Sequence, residues 1–450
     1  MDLTLQKATS LTPQQREAYS RHLMPYVKRQ GAIHMKGGKG VFFQDTDGKQ
    51  YLDLTTQMFA CYLGLGNEEI AQVIYDQARI MTIVHPHMQT DLRYSLAHRL
   101  AEIAPANLNR IAFTVGGGPA VESAIKIALK NAKGAHRFIT LRGGYHGGTF
   151  VSAAATVEAA QPQTVGDSKS LPFTVLLSNS FIRAPHPFCY RCPFAMKPES
   201  CGTFCAKALR QTIVEQGVGQ IAGVILEPLQ SGGGEFPFPK EYLRRAREIC
   251  DEFGALLIFD EIQCFARTGK WFAADYYGVE PDIIVMGKGI GGGVPIAGII
   301  IHDRLTPFEC LGEDLHTYQN NHIGFAAALK TLEIIERDHL LDHAIEMGDY
   351  IQSGFRDMQR RFPEIGDIRG AGLKIGVELV KDPKTREPMP RDVANQVLAK
   401  SVEKGLFFQI IGQSIIKVKP ALIIQKAEID QALGILEEAM KEVLRAEAVP

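Results

Sequence analysis

The chain has 450 residues, of which 45% are hydrophobic and 22% charged, and its formal net charge is −1. That is material for about two to four domains, with no basic surplus for nucleic acid or an anionic membrane and no apolar run long enough to span a bilayer. The start, Met1-Asp2-Leu3-Thr4-Leu5-Gln6, has no basic segment leading into an apolar one, so no secretory signal is read and the expected location is the cytoplasm.

The first ~35 residues read as a polar amphipathic arm. Gly40 to Asp53 reads as a hairpin with Asp47-Gly48 in its turn. From roughly residue 70 to 320, helices alternate with short apolar strands, expected at Arg137 to Leu141, Ile221 to Leu226, Ala255 to Asp260, Ile283 to Met286 and Ile296 to Ile301. Continuous apolar strands separated by helices predict a mostly parallel sheet covered on both faces, with ligands at the carboxyl ends of the strands. Glu227, Asp260 and Lys288 fall at those ends.

Three glycines, Gly116-Gly117-Gly118, precede a helix whose apolar positions are Val121, Ala124, Ile125, Ala128 and Leu129. Pro119 suits the first helical turn, and Glu122 and Lys126 are spaced for an i,i+4 pair. Free N–H groups at such a helix start make an anion site. The loop is neither GxGxxG nor a Walker motif, which argues against a dinucleotide or a nucleoside triphosphate. Next, Gly143-Gly144-Tyr145-His146-Gly147-Gly148 places an aromatic ring at a strand end, either to stack on a planar ligand or to pack in the core.

The stretch from Thr156 to Cys205 is rich in proline and cysteine and reads as a long surface excursion. Its four cysteines, Cys189-x2-Cys192-x8-Cys201-x3-Cys205, could bind a structural zinc ion, form two loop disulfides or stay reduced. The scattered Cys61, Cys250, Cys264 and Cys310 are expected as buried reduced thiols.

Lys288 follows the apolar run Ile283 to Met286 and opens Gly287-Lys288-Gly289-Ile290-Gly291-Gly292-Gly293. Burial lowers a lysine pKa, and a neutral amine is the form that condenses with a carbonyl to a Schiff base. The preceding strand ends in Asp260, which could keep a heteroaromatic nitrogen protonated. Schiff-base lysine plus pyridinium aspartate is the protein equipment for pyridoxal 5′-phosphate (PLP). Beyond about residue 325 come helices over Asn321 to Glu336 and His339 to Arg361. Strands are expected over Lys374 to Val380, Leu406 to Ile411 and Ser414 to Lys419, and a last helix over Ala427 to Arg445.

Five segments, in this order and spacing, resemble the class III PLP-dependent aminotransferases: Leu226-Glu227-Pro228-Leu229-Gln230, Ile258 to Gln263, Ala266-Arg267-Thr268-Gly269, Pro281 to Gly289 and Arg369 to Leu373. The resemblance runs from about Gly40 to the last helix. It implies an α/β protein of fold type I, with a large mostly parallel-sheet domain and a smaller α+β domain. The boundaries expected are 1–60 for an arm and hairpin packing with the small domain, 61–324 for the large PLP-binding domain and 325–450 for the small domain. It implies that Lys288 carries the cofactor and moves the proton, that Asp260 pairs with the pyridine nitrogen, and that Gln263 bonds near the phenolic oxygen. Gly117 and Gly118 would hold the phosphate, Tyr145 would stack on the ring, and Arg267 would be structural. Thr317 would reach the phosphate of a partner subunit in a homodimer.

The implied reaction moves an amino group from an amino acid or amine to a 2-oxo acid. Alternative readings are an amino-acid racemase or epimerase on the same scaffold, and a non-catalytic metal-binding or structural protein. Departures from the family pattern are Gly118 for a usual Ser or Thr, Pro119 for a usual Glu, and Gln319-Asn320 for a usual Gly-Gly. At the family's substrate switch, Lys417 stands for an arginine and Gly232 for a glutamate. The expectation is a missing switch, poor handling of 2-oxoglutarate and preference for a smaller acceptor such as pyruvate; the alternative places Lys417 in solvent on an edge strand.

Overall fold

A computed structural model describes residues 11–24, 32–156, 179–217 and 219–446. Its centre is a seven-stranded sheet in the order Leu108–Thr114, Ala297–His302, Ile283–Met286, Leu256–Asp260, Ile221–Leu226, Arg137–Leu141, Phe181–Ala184. All strands run parallel except Ala297–His302, which is antiparallel to both neighbours. The apolar runs form strands because both faces of the sheet are covered. Ile225, Ile258, Ile283 and Val285 enter a core shared with helix Gly117–Asn131, while Val224, Leu257, Phe259 and Ile284 enter the main core on the other face.

All five expected large-sheet strands end within one residue of their expected bounds, and Arg137–Leu141, Ile221–Leu226 and Ile283–Met286 coincide. Two strands of the large sheet, and Ile365–Ala371 of the C-terminal sheet, are not expected from the sequence. Leu108–Thr114 leads into the glycine triplet, and Phe181–Ala184 lies inside the expected surface excursion but completes the sheet edge. Residues 157–178 of that excursion, and residues 1–10 and 25–31 of the N-terminal arm, lie outside the described residues; of the arm, helix Pro13–Ser20 is described.

The C-terminal part is built on an antiparallel sheet, Ile365–Ala371, Lys374–Asp382, Ile415–Val418, Gln409–Ile411. The single strand expected over Leu406 to Ile411 is two strands in two sheets. Leu406–Phe407 pairs in parallel with Gln50–Asp53 of the N-terminal hairpin, and Gln409–Ile411 pairs with Ile415–Val418. The four clustered cysteines line one small cavity beside Phe188 and Phe204, and all eight cysteines are free thiols. Among the described residues no three His, Cys, Asp or Glu side chains are arranged to hold a metal ion. Cys250 and Cys264 are buried as expected; Cys310 is exposed and Cys61 half-buried, because neither lies in a core element.

Arg267 joins the two parts. Its fully buried guanidinium donates to the carbonyls of Leu373 (3.1 Å) and Pro420 (2.8 Å) and to Thr56 Oγ1 (2.9 Å), and it stacks 4.1 Å from the Tyr62 ring centroid. Truncation leaves buried carbonyls without donors as well as a void. Arg267→Ala should therefore lower unfolding stability by about 3 kcal/mol, read from denaturant midpoints. A loss below about 1 kcal/mol would show that the residue is dispensable to the join.

Candidate active site

Six of the seven residues singled out from sequence meet in one cleft. Gly117, Gly118, Tyr145, Asp260, Gln263 and Lys288 line a space of about 490 Å³ together with His146, Glu227 and Ile262. The cleft lies where strands Leu256–Asp260 and Ile283–Met286 end and helix Gly117–Asn131 begins. The seventh, Thr317, is exposed and outside it.

Lys288 starts a short 3₁₀ turn with φ +48°, a left-handed conformation costly for a residue with a Cβ. Gly289 after it has no room for a side chain, because the Tyr62 ring fills the place a Cβ would take. Burial lowers the Lys288 pKa; Asp260 and Glu227 work against that, and the ammonium groups of Lys417 and Lys374 add to it. The amine is thus more readily freed of its proton than an ordinary lysine.

Asp260 is held on both oxygens. His146 Nδ1 lies 2.8 Å from Oδ2, and the Ile262 N–H donates to Oδ1 at 3.2 Å. A carboxylate only accepts, so His146 donates from Nδ1. His146 Nε2 is buried without a partner. The sequence reading assigns His146 no role; its place beside Tyr145 at a strand end is the signal that marks it.

Glu227 accepts the Tyr145 N–H (3.0 Å) and the Ser231 N–H (2.9 Å), fixing the loop that carries the aromatic ring. Burial first, then Asp260 and Glu227, raises the Tyr145 pKa, so its phenol stays protonated. The neighbouring Glu261 points away from the cleft and caps the helix Ala273–Tyr277 through the N–H groups of Ala273 and Ala274; burial lifts its pKa to about 8.

At the glycine triplet the expected Glu122–Lys126 pair does not form. Lys126 reaches Asp314 (2.7 Å), while Glu122 accepts from Thr149 Oγ1 (2.6 Å) and the N–H of Val151 (3.0 Å). Glu122 is drawn to the free donors of the helix beginning at Phe150. Leu129, expected on the buried face, is 42% exposed. A Cβ on Gly118 would meet Thr149 Oγ1 at 2.9 Å and Ser152 Oγ at 3.2 Å, so two hydroxyls from the adjacent loop fill the space beside it.

Lys417 is not in solvent. It sits on Ile415–Val418, an interior strand, is 4% exposed and lies 3.3 Å from Glu235. Glu235 also meets Lys374 and Lys419, each at 2.6 Å. The glutamate absent at position 232 is thus supplied to Lys417 three residues later. Burial raises the Glu235 pKa, but the three ammonium groups outweigh it and bring it to about 2.

Comparison with known proteins decides the family. The class-III aminotransferase family matches residues 25–440. The protein belongs to that family. It is 33% identical to the leucine/methionine racemase of Thermococcus litoralis over 95% of each chain, and 33% identical to the acetylornithine aminotransferase of Methanosarcina acetivorans over 94% of this chain and 95% of that one. An amine transaminase structure from an uncultivated Pseudomonas species in its PLP-bound form superposes with a TM-score of 0.85 at 25% identity, covering 94% of this chain and 98% of that chain. This is a fold type I enzyme, a transaminase that uses PLP. The residues fit that group: an amine of lowered pKa, a carboxylate at the strand end and a cradle of glycines at a helix start line one cleft.

Asp260→Asn keeps the shape but removes the charge. Turnover should fall by several orders of magnitude with PLP still bound, as measured by steady-state kinetics and cofactor absorbance. A loss under about tenfold, roughly 1.4 kcal/mol, would exclude a role for the carboxylate.

Proposed function

We propose that Lys288 is the lysine that holds PLP and then carries the proton between donor carbon and cofactor in amino transfer from an amino acid or amine to a 2-oxo acid. The observation that carries this is the meeting of Lys288, Asp260 and the Gly117-Gly118 cradle in one cleft. When bound, PLP supplies the electron sink for the carbanion chemistry. Asp260, oriented by His146, would face the pyridine nitrogen and keep it protonated; Gly117 and Gly118 would offer N–H groups to the phosphate; Tyr145 would cover the ring. Gln263 donates to the phenolic oxygen. Lys288, with its pKa lowered, is a base once released.

The acceptor follows from the lysine cluster. Lys417 is engaged by Glu235 and cannot grip a carboxylate through two parallel bonds as an arginine does. Pyruvate is therefore the preferred acceptor over 2-oxoglutarate. The eight free thiols suit a reducing compartment and support a cytoplasmic enzyme.

The working unit is a homodimer. Segments 80–88 and 315–321, tied by the Ile83–Asn321 bridge, expose Ile80, Met88, Leu315 and Tyr318, and Thr317 lies exposed among them. Such a patch supports a protein interface, with Thr317 reaching the partner's phosphate site. Racemisation is the second reading, favoured by the likeness to the Thermococcus litoralis racemase.

With one amino-acid enantiomer and no 2-oxo acid, transamination should stop after a single half-turnover; sustained racemisation would replace the aminotransferase reading. With a shared donor, kcat/KM for pyruvate should exceed that for 2-oxoglutarate, and Lys288→Ala should abolish turnover while the circular dichroism spectrum is retained. Near wild-type turnover in Lys288→Ala would end the assignment. Mixing Lys288→Ala and Thr317→Ala subunits should restore activity, because one site of the mixed dimer regains both residues. No recovery after verified subunit exchange would remove Thr317 from the partner's site.

A further inference from the structure

Gln263 lines the cleft, yet its amide oxygen faces away from it, toward Lys419 Nζ at 2.7 Å. Lys419 is fully buried, and its surroundings are complete. The carboxylate of Glu235 lies 2.6 Å from the nitrogen, the amide oxygen of Gln263 at 2.7 Å, and the face of the Phe59 ring 4.4 Å away. An ammonium has three donors and no lone pair. The amide oxygen of Gln263 accepts one of them, while the Glu235 carboxylate makes an ion pair with the nitrogen and the Phe59 ring face a cation–π contact.

The two ends of a glutamine amide differ in chemistry: one accepts, the other donates twice. A partner that can only donate therefore decides which end faces it. With Lys419 on one side, the Gln263 oxygen is taken and its NH₂ group is left toward the cleft. That NH₂ makes no hydrogen bond to any described residue.

The elements behind Lys419 make this arrangement rigid. Glu235 has φ +59° and also holds Lys374, which donates to Ser231 Oγ. Phe59 ends a run of four residues, Thr56–Phe59, with φ from +46° to +68°. Left-handed backbone at four successive non-glycine residues is costly. The Asp53 carboxylate holds the run by accepting from Thr55 N–H and Oγ1 (both 2.6 Å) and from the Gln57 N–H (3.0 Å) and side-chain amide (2.9 Å).

We infer that Lys419 is a positioning residue that locks the Gln263 amide with its NH₂ toward the cleft, making Gln263 an obligate hydrogen-bond donor to the ring oxygen of the cofactor. This rests on the placement of Gln263 against that oxygen proposed above. Burial pulls the Lys419 pKa well below the ordinary lysine value; the Glu235 carboxylate beside the nitrogen opposes that pull and favours the ammonium, which can only donate.

The test reads the PLP-loaded protein by its visible absorbance, without turnover. A donor to the ring oxygen favours the form in which that oxygen carries most negative charge, the deprotonated form at high pH. Loss of the donor should raise the pH midpoint of the absorbance change. Gln263→Leu should raise it by about one unit, a tenfold change in the equilibrium. Lys419→Met, similar in length but without donors, should give a similar rise, and the double variant should add nothing further. Lys419→Arg, which again only donates, should restore the wild-type midpoint. Should Lys419→Met not fold, Lys419→Gln carries the same expectation, since an amide there can meet either end of Gln263. No shift in Gln263→Leu would refute the placement of Gln263 and the lock with it. A shift in Gln263→Leu with none in the Lys419 variants, or additive shifts in the double variant, would overturn the lock while leaving Gln263 in place.

Discussion

The cleft is shaped by one constraint: the Lys288 amine is kept largely out of water at the end of a strand. Desolvation alone would make Lys288 a neutral amine of no defined partner. Asp260 and Glu227 temper that desolvation, and neither carboxylate is free to swing toward the lysine. His146 and the Ile262 N–H hold Asp260, while the backbone of Tyr145 and Ser231 holds Glu227. Each acid is thereby aimed by a neighbour. Glu261, one residue from Asp260, shows the alternative fate of a buried acid in the same stretch: it turns into the protein and caps a helix.

Behind the cleft, one carboxylate serves three lysines from two strands. Glu235 lies after the Leu229–Gln230 strand, Lys374 opens one strand of the C-terminal sheet, Lys417 lies on the next and Lys419 directly follows it. Burial makes every one of these charges expensive, and a single anion cannot satisfy all three equally. Lys374 is raised by its tight pair with Glu235, against burial, while burial leaves Lys417 and Lys419 below the ordinary lysine value. The cluster is thus a joint between the two parts of the molecule whose polar groups are set by their pairing, in contrast to the apolar packing elsewhere.

Much of this was legible in the sequence because the informative residues are local. A parallel strand buried on both faces is written as an uninterrupted apolar run, and its carboxyl end is marked by the first polar residue after it; Glu227, Asp260 and Lys288 needed nothing more. What was not legible depends on contacts between distant segments. Phe181–Ala184 is four residues inside a stretch dominated by proline and cysteine, too short for its period to stand out. Leu406 to Ile411 reads as one strand, since a change of sheet at Phe408 leaves no trace in hydropathy. Lys417 was weighed against position 232 because a motif compares fixed positions, whereas the ion pair is made with Glu235 by the shape of the Gly232-Gly233-Gly234 turn. Glu122 and Lys126 have the right spacing for each other, but each finds a better partner outside the helix.

The one antiparallel strand of the large sheet has a consequence for how the chain is made. Leu108–Thr114, which leads into the glycine triplet, lies at the sheet edge and pairs there with Ala297–His302. The ribosome delivers that partner almost two hundred residues later, roughly 10–40 s at typical rates of synthesis. Throughout that interval the strand lacks its partner in the sheet. The strand that leads into the glycine triplet therefore joins the large sheet only once Ala297–His302 has emerged.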